Sequence, residues 1–214
     1  MSSREPRFGP AVPGLGSGPA APSGRPRRRR RHPLAGAGPI VDRARAALVR
    51  TAAEFGEVVR KDQTSVTVRT GDGIEVTLSY DGGNFIFSRV YNLTLTASLP
   101  AASDVPTGLV LSHRERSGPR FVRGADRGAA RATKDPQLAA LNTNVSARLR
   151  AVDLLSGTVA GPRSARRLTL TPMGGSYVWV LIPPVFKATA FPAGEPERLL
   201  DIIRELRSWS PVSA

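Results

Sequence analysis

Apolar positions recur at helical spacing in "PIVDRARAALVRTAAEFG". Ala44, Ala47, Leu48, Ala52 and Phe55 fall on one side, while Arg43, Arg50 and Glu54 fall on the other. Pro39 suits the start, where a missing N–H costs little, and Gly56 suits the stop. The alanines predict close packing against a flat surface, that is, a sheet. From Ser65 the period drops to two. "SVTVRT", "IEVTLSY" and "NFIFSRVYNLTLTASL" alternate, separated by "GDG" and "DGG", both predicted hairpin turns. "TGLVLSH" is a fourth predicted strand.

Helical spacing returns at Leu138, Leu141, Val145, Leu149, Val152 and Leu155, predicting a second helix from Pro136 to about Leu155. "RRLTLTP", an "MGG" turn and "SYVWVLIPP" follow as strands. The second of these is nearly all apolar and expected to be central, ending at Pro183 and Pro184. "VFKATAF" is a further short strand. A last helix is predicted in "GEPERLLDIIRELRSW". Leu199, Ile202, Ile203, Leu206 and Trp209 form its apolar face, and Glu195 and Glu197 sit where the helix dipole favours acids.

These elements predict an α+β fold: a mainly antiparallel sheet of six to seven strands, covered by three helices. Residues 114–135 have weak periodicity and read as a long basic loop with a short helical turn. Residues 1–38 are dominated by proline, glycine, serine and arginine and read as a disordered tail, leaving 39–214 as a single domain.

Charge changes this picture in one respect. The net charge is +14, and 28 of the 31 basic residues are arginine. The tail holds eight arginines against Glu5, so it carries +7 and leaves +7 for the other 176 residues. Arginine forks suit phosphate and carboxylate. The accompanying alanine, glycine and proline, however, are also what a GC-rich coding sequence favours. With no cysteine, disulfides, thiol catalysis and sulfur-ligated metals are excluded. No apolar run is long enough for a membrane span, and no apolar stretch follows the arginine run to make a secretion signal, so a cytoplasmic location is expected.

Candidate chemistry is sparse. Of the two histidines, His32 lies in the tail and His113 ends a strand as a surface or packing residue. No G-x-S-x-G elbow is present. "GLGSG" at 14–18 lacks the strand, helix and lysine of a phosphate loop. The reading assigns no catalytic residue, cofactor or metal, and is non-enzymatic.

Anion-binding candidates are Arg27, Arg28, Arg29, Arg30 and Arg31 in the tail, and Arg114, Arg116, Arg120 and Arg123 in the basic loop. In "NFIFSRVY", Phe85, Phe87, Arg89 and Tyr91 share one parity. This is read as a core edge with one charge reaching solvent along its stem. The expected role is an adaptor or interaction module with an acidic protein partner, the tail adding long-range attraction. Nucleic-acid binding is the main alternative. A carrier of a small apolar ligand, lined by "SYVWVLIPPVF", is the other. Oligomeric state is not encoded in any motif here.

Overall fold

The computed structural model describes residues 32–84, 88–113, 118–126, 135–180 and 185–211. Three helices and ten antiparallel strands follow in the order α1 (Pro39–Ala52), β1 (Glu57–Lys61), β2 (Ser65–Arg69), β3 (Glu75–Asn84), β4 (Ser88–Ser98), β5 (Leu109–Ser112), β6 (Arg120–Arg123), α2 (Pro136–Arg150), β7 (Leu154–Ala160), β8 (Arg167–Pro172), β9 (Tyr177–Val180), β10 (Val185–Ala188) and α3 (Glu195–Ser208). The α+β class, the antiparallel sheet and the three covering helices are as the sequence predicts.

The strands form one sheet in the order β1-β2-β3-β4-β8-β7-β5-β6. The long strand β4 organises it. Leu95–Ser98 pair with β8 and Ser88–Tyr91 pair with β9, which carries β10 on its far side. Strands β8 and β9 thus follow β4 in succession, interrupted by the excursion 173–176. The "MGG" segment is this excursion rather than a hairpin turn. Phe191 and Leu93 close over it, and a Cβ at Gly175, where φ is +71°, would lie 2.6 Å from Leu93 Cδ2.

Alternation along β4 separates two faces. Tyr91, Leu93, Leu95 and Ala97 are buried in the common core with Ala44 and Leu48 of α1, Leu141 and Val145 of α2, and Ile202 and Ile203 of α3. The opposite face is a hydroxyl array. Thr67, Thr77, Thr96, Thr169 and Thr158 stand in register across β2, β3, β4, β8 and β7. Neighbouring hydroxyls bond across strands: Thr67 to Thr77 at 3.2 Å and Ser79 to Thr94 at 2.8 Å. β-branched threonine suits a strand, and its hydroxyl lets that face meet water without a covering layer.

Four expectations are corrected. First, "DGG" is not a turn: Asp81, Gly82 and Gly83 pair within β3 to Asn92, Tyr91 and Val90. Gly82 is required for close approach instead, since a Cβ there would lie 2.8 Å from Pro33 Cβ. Second, packed chain begins before Pro39. Leu34 is completely buried, which stabilises its segment by about 2 kcal/mol, and Arg45 donates to the Leu34 carbonyl at 2.6 Å.

Third, the second helix stops at Arg150. Leu155, the end of its expected stripe, belongs to β7, where it is exposed and its neighbour Leu154 is buried. Fourth, the "basic loop" contains β6, and the outward backbone of Phe121 is held by the Asn142 amide of α2. The Phe121 N–H donates to Oδ1 at 2.7 Å, and Nδ2 donates to the Phe121 carbonyl at 2.8 Å. "EVVRK", for which the sequence reading gives no element, forms β1, an edge strand with a register shift between Val58 and Arg60. The predicted turn at "GDG" is present, closed by the Thr70 N–H donating to the Ile74 carbonyl at 2.9 Å.

Two polar anchors fix α3. Arg204 donates to Asp72 in the β2–β3 turn at 2.8 Å and to Glu197 and Asp201 on its own helix. This guanidinium, with the Thr70 hydroxyl, holds the Asp72 carboxyl down at about 2. At the other end, Ser103 Oγ donates to the Leu206 carbonyl at 2.8 Å and the Asp104 N–H to the Trp209 carbonyl at 2.9 Å. Arg166, only 3% exposed, closes this loop by donating to the carbonyls of Val105, Ser103 and Pro100.

Candidate functional site

The sequence-derived arginines separate into two groups. Arg27–Arg31, Arg114 and Arg116 lie outside the described residues. Arg120 and Arg123 lie on β6, and strand alternation places them on opposite faces. Arg123 is engaged by Asp135 at 2.7 Å and by the Thr107 carbonyl at 3.1 Å. That pairing is the first cause of the lowered pKa of Asp135, which also caps α2 by accepting the Leu138 N–H. Arg123 therefore braces a helix start, and these two arginines do not converge.

Five further arginines pair with acids. Arg45 pairs with Asp42, Arg60 with Asp62, Arg69 with Glu75, Arg148 with Glu205 and Arg163 with Asp104, at 2.9–3.2 Å. Two arginines without an ion pair among the described residues, Arg43 and Arg89, lie at the end of the sheet where β4 begins. Register places Arg89 of β4 beside Trp179 of β9, and Trp179 beside Phe186 of β10. The two rings are 6.4 Å apart and tilted by 39°. Arg43, on the second turn of α1, lays its guanidinium over the Phe186 ring at 4.4 Å, within cation–π range. Lys187 projects from the other face of β10. Arg43, Arg89 and Lys187 are exposed and form no ion pair among the described residues.

The next row inward is rigid. Tyr91 stands beside Tyr177, with ring centroids 5.9 Å apart, and Tyr80 packs against Tyr91 at the same separation. The Tyr80 hydroxyl donates to the Gly175 carbonyl at 3.2 Å. Burial pushes the Tyr80 phenol up to about 12 and raises that of Tyr177, where Arg43 and Arg50 oppose the rise. The row Arg89–Trp179–Phe186 therefore rests on three buried tyrosines. Pro33, on Gly82 next to Tyr91 in register, brings the start of the described chain to the same end of the sheet.

A second concave feature is a shallow cleft of about 240 Å³, lined by His113, Pro119, Arg150, Asp153 and Met173. The exposed His113 sits there at the end of β5. Below the cleft the Asp153 N–H donates to Glu195 Oε1 at 3.1 Å, burying the first residue of α3. No histidine–nucleophile hydrogen bond forms there among the described residues, and no group of three metal-ligating side chains occurs among them. Burial lowers the pKa of His32, whose Nδ1 accepts the Leu34 N–H at 3.2 Å.

Residues 53–210 match the family model described as "Protein of unknown function (DUF3156)". The chain belongs to that family. The matched span runs from the end of α1 through α3, so it contains Arg89, Trp179, Phe186 and Lys187 and leaves out Arg43. No curated protein and no solved structure matches the chain. Among the described residues no helix is long and apolar enough to cross a membrane.

Sequence reasoning noted Arg89 and Trp179 singly, but their pairing comes from strand register across ninety positions. Arg43 carried no signal beyond a solvent-facing helix position.

Proposed function

We propose that this protein is a non-enzymatic binding module that recognises an acidic segment of a partner protein at the Arg43–Arg89–Trp179–Phe186–Lys187 surface. One observation carries the reading. Arg43 and Arg89 stand without an ion pair among the described residues beside two half-buried rings on one face of the sheet, and Lys187 stands likewise on the other face of the same edge strand. Carboxylates supply the missing counter-charge, and the rings supply apolar area that strengthens the contact. The patch spans the ends of three strands and one helix turn, the footprint of a peptide. A duplex instead needs an extended basic track to neutralise several phosphates. The Arg27–Arg31 run, joined to the body through His32, adds long-range attraction that raises encounter rate.

The test uses the full chain with an octaglutamate peptide and, separately, a generic DNA duplex, following Trp179 emission and gel mobility. Octaglutamate binds, and Arg43→Ala with Arg89→Ala weakens it about tenfold or more. Duplex binding that is salt-steep and insensitive to Arg43 and Arg89, with no octaglutamate binding, overturns the reading in favour of nucleic acid.

A further inference from the structure

Among the described residues, ten strands in one sheet leave three free edges, and two of them are guarded. At β1 the register shift and the exposed charges of Glu57, Arg60 and Lys61 interrupt the ladder. At β6 the Asn142 amide occupies the outward N–H and C=O of Phe121 as a neighbouring strand would. Such devices keep an edge from pairing with another chain. β10 pairs with β9 only, and among the described residues neither a bulge nor a side chain closes its outer edge.

The direction of its backbone groups follows from two sides. The Thr189 N–H donates to Ser176 and its carbonyl accepts from Gly175, so Thr189 faces inward. The Leu93 N–H donates to Ser176 Oγ, so Leu93, and with it Tyr91 and Arg89, face β9. In an antiparallel strand each residue sends both polar groups to one side, and successive residues alternate. Both routes leave Val185 and Lys187 bonded to β9, with the N–H and C=O of Phe186 and Ala188 turned outward.

We propose that this edge receives the acidic partner segment as an added, extended strand, a reading that rests on the acidic-partner function above. An incoming strand pairs its backbone with Phe186 and Ala188. Its alternating side chains then meet Lys187 on one face of the sheet and Arg43, stacked on Phe186, on the other, so acids at successive positions each find a cation. Charge also selects the occupant. A second copy paired β10 to β10 about a two-fold axis sets Lys187 near Lys187 and Arg43 near Arg43, and like charges across strands destabilise.

The experiment uses the full chain and octaglutamate. Amide exchange is followed at Phe186 and Ala188, and affinity is measured for the parent, for Ala188→Pro, and for octaglutamate N-methylated at alternate residues. Proline removes only an outward N–H, which an edge strand tolerates. The methylated peptide keeps every charge and is tested on the unaltered chain. Strand addition predicts slowed exchange at Phe186 and Ala188 on binding, and an affinity loss of about tenfold or more from either change.

Binding that needs Arg43 and Arg89 yet ignores both Ala188→Pro and N-methylation overturns strand addition and leaves the acidic-partner reading standing. Absence of octaglutamate binding overturns both. Protection of β10 amides that rises with protein concentration alone assigns the edge to a second copy and overturns the proposal.

Discussion

Replacing Arg166 with methionine removes three donors from the centre of the 100–105 loop while keeping most of the aliphatic stem. The guanidinium is 3% exposed and donates to the carbonyls of Val105 and Ser103, both in buried contacts, and of Pro100 at 3.1 Å. Among the described residues no carboxylate joins it. The compensating charge is carbonyl density from this loop, which is itself tied to the last carbonyls of α3 at Leu206 and Trp209. Each buried carbonyl left without a donor costs about 1–3 kcal/mol, and two are fully buried. Removing the ion also relieves its own desolvation, a cost of several kcal/mol that the native hydrogen bonds offset. Because the carbonyls stay behind, the net expectation is a loss of about 3 kcal/mol, a large part of the total stability of a domain. For a chain of this length that corresponds to roughly 6–12 °C in Tm.

Urea unfolding followed by the emission of Trp209, whose carbonyl accepts the Asp104 N–H, measures the change where it arises. Arg166→Lys keeps the charge but has one nitrogen in place of three, so it falls between parent and methionine variant. A methionine variant within about 0.5 kcal/mol of the parent refutes the account, since a change that small is ordinary for surface substitutions. A lysine variant no better than methionine refutes the role given to the donors.

Gly175→Ala forces a side chain into a left-handed backbone and within 2.6 Å of Leu93 Cδ2, so it destabilises by about 2 kcal/mol or more; Gly71→Ala, with nothing within 4 Å, is the neutral control in the same melts. Acid weakens the fold through Asp72. Its folded pKa of about 2 lies below its ordinary 3.8, so its contribution is complete above about pH 4 and disappears as pH falls toward 2. Because both partners are partly exposed, the effect is about 1 kcal/mol or less. Urea midpoints for Asp72→Asn should change less than those of the parent between about pH 5 and about pH 2.5; parallel losses would contradict this.

Local patterns carried much of the fold because local physics fixed it. Alternation around "GDG" placed β2 and β3, and the stripes from Leu138 and Leu199 placed α2 and α3. The errors share one cause, that tertiary contact overrode a local signal. Gly82 looked like a turn glycine and is a seat for Pro33. Leu155 fitted a helical stripe and is a strand residue, because the chain turns at Asp153, where Glu195 and Met173 hold the backbone. "RFVR" resembled loop because its apolar pair is short, yet β5 and the Asn142 amide supply partners on both sides.

The sequence by itself determined the class of this protein: which segments bury apolar faces, that the faces require a sheet with helices on it, and that the chain is strongly basic. It did not determine which basic residues are spent. Arg166 and Arg167 are neighbours of identical chemistry, one buried among carbonyls and one exposed. Arg123 holds a helix cap, whereas Arg43 and Arg89 keep their charge for the surface. Only strand register and helix docking decided this, because the partners lie tens of residues away and a guanidinium is neutralised by proximity in space.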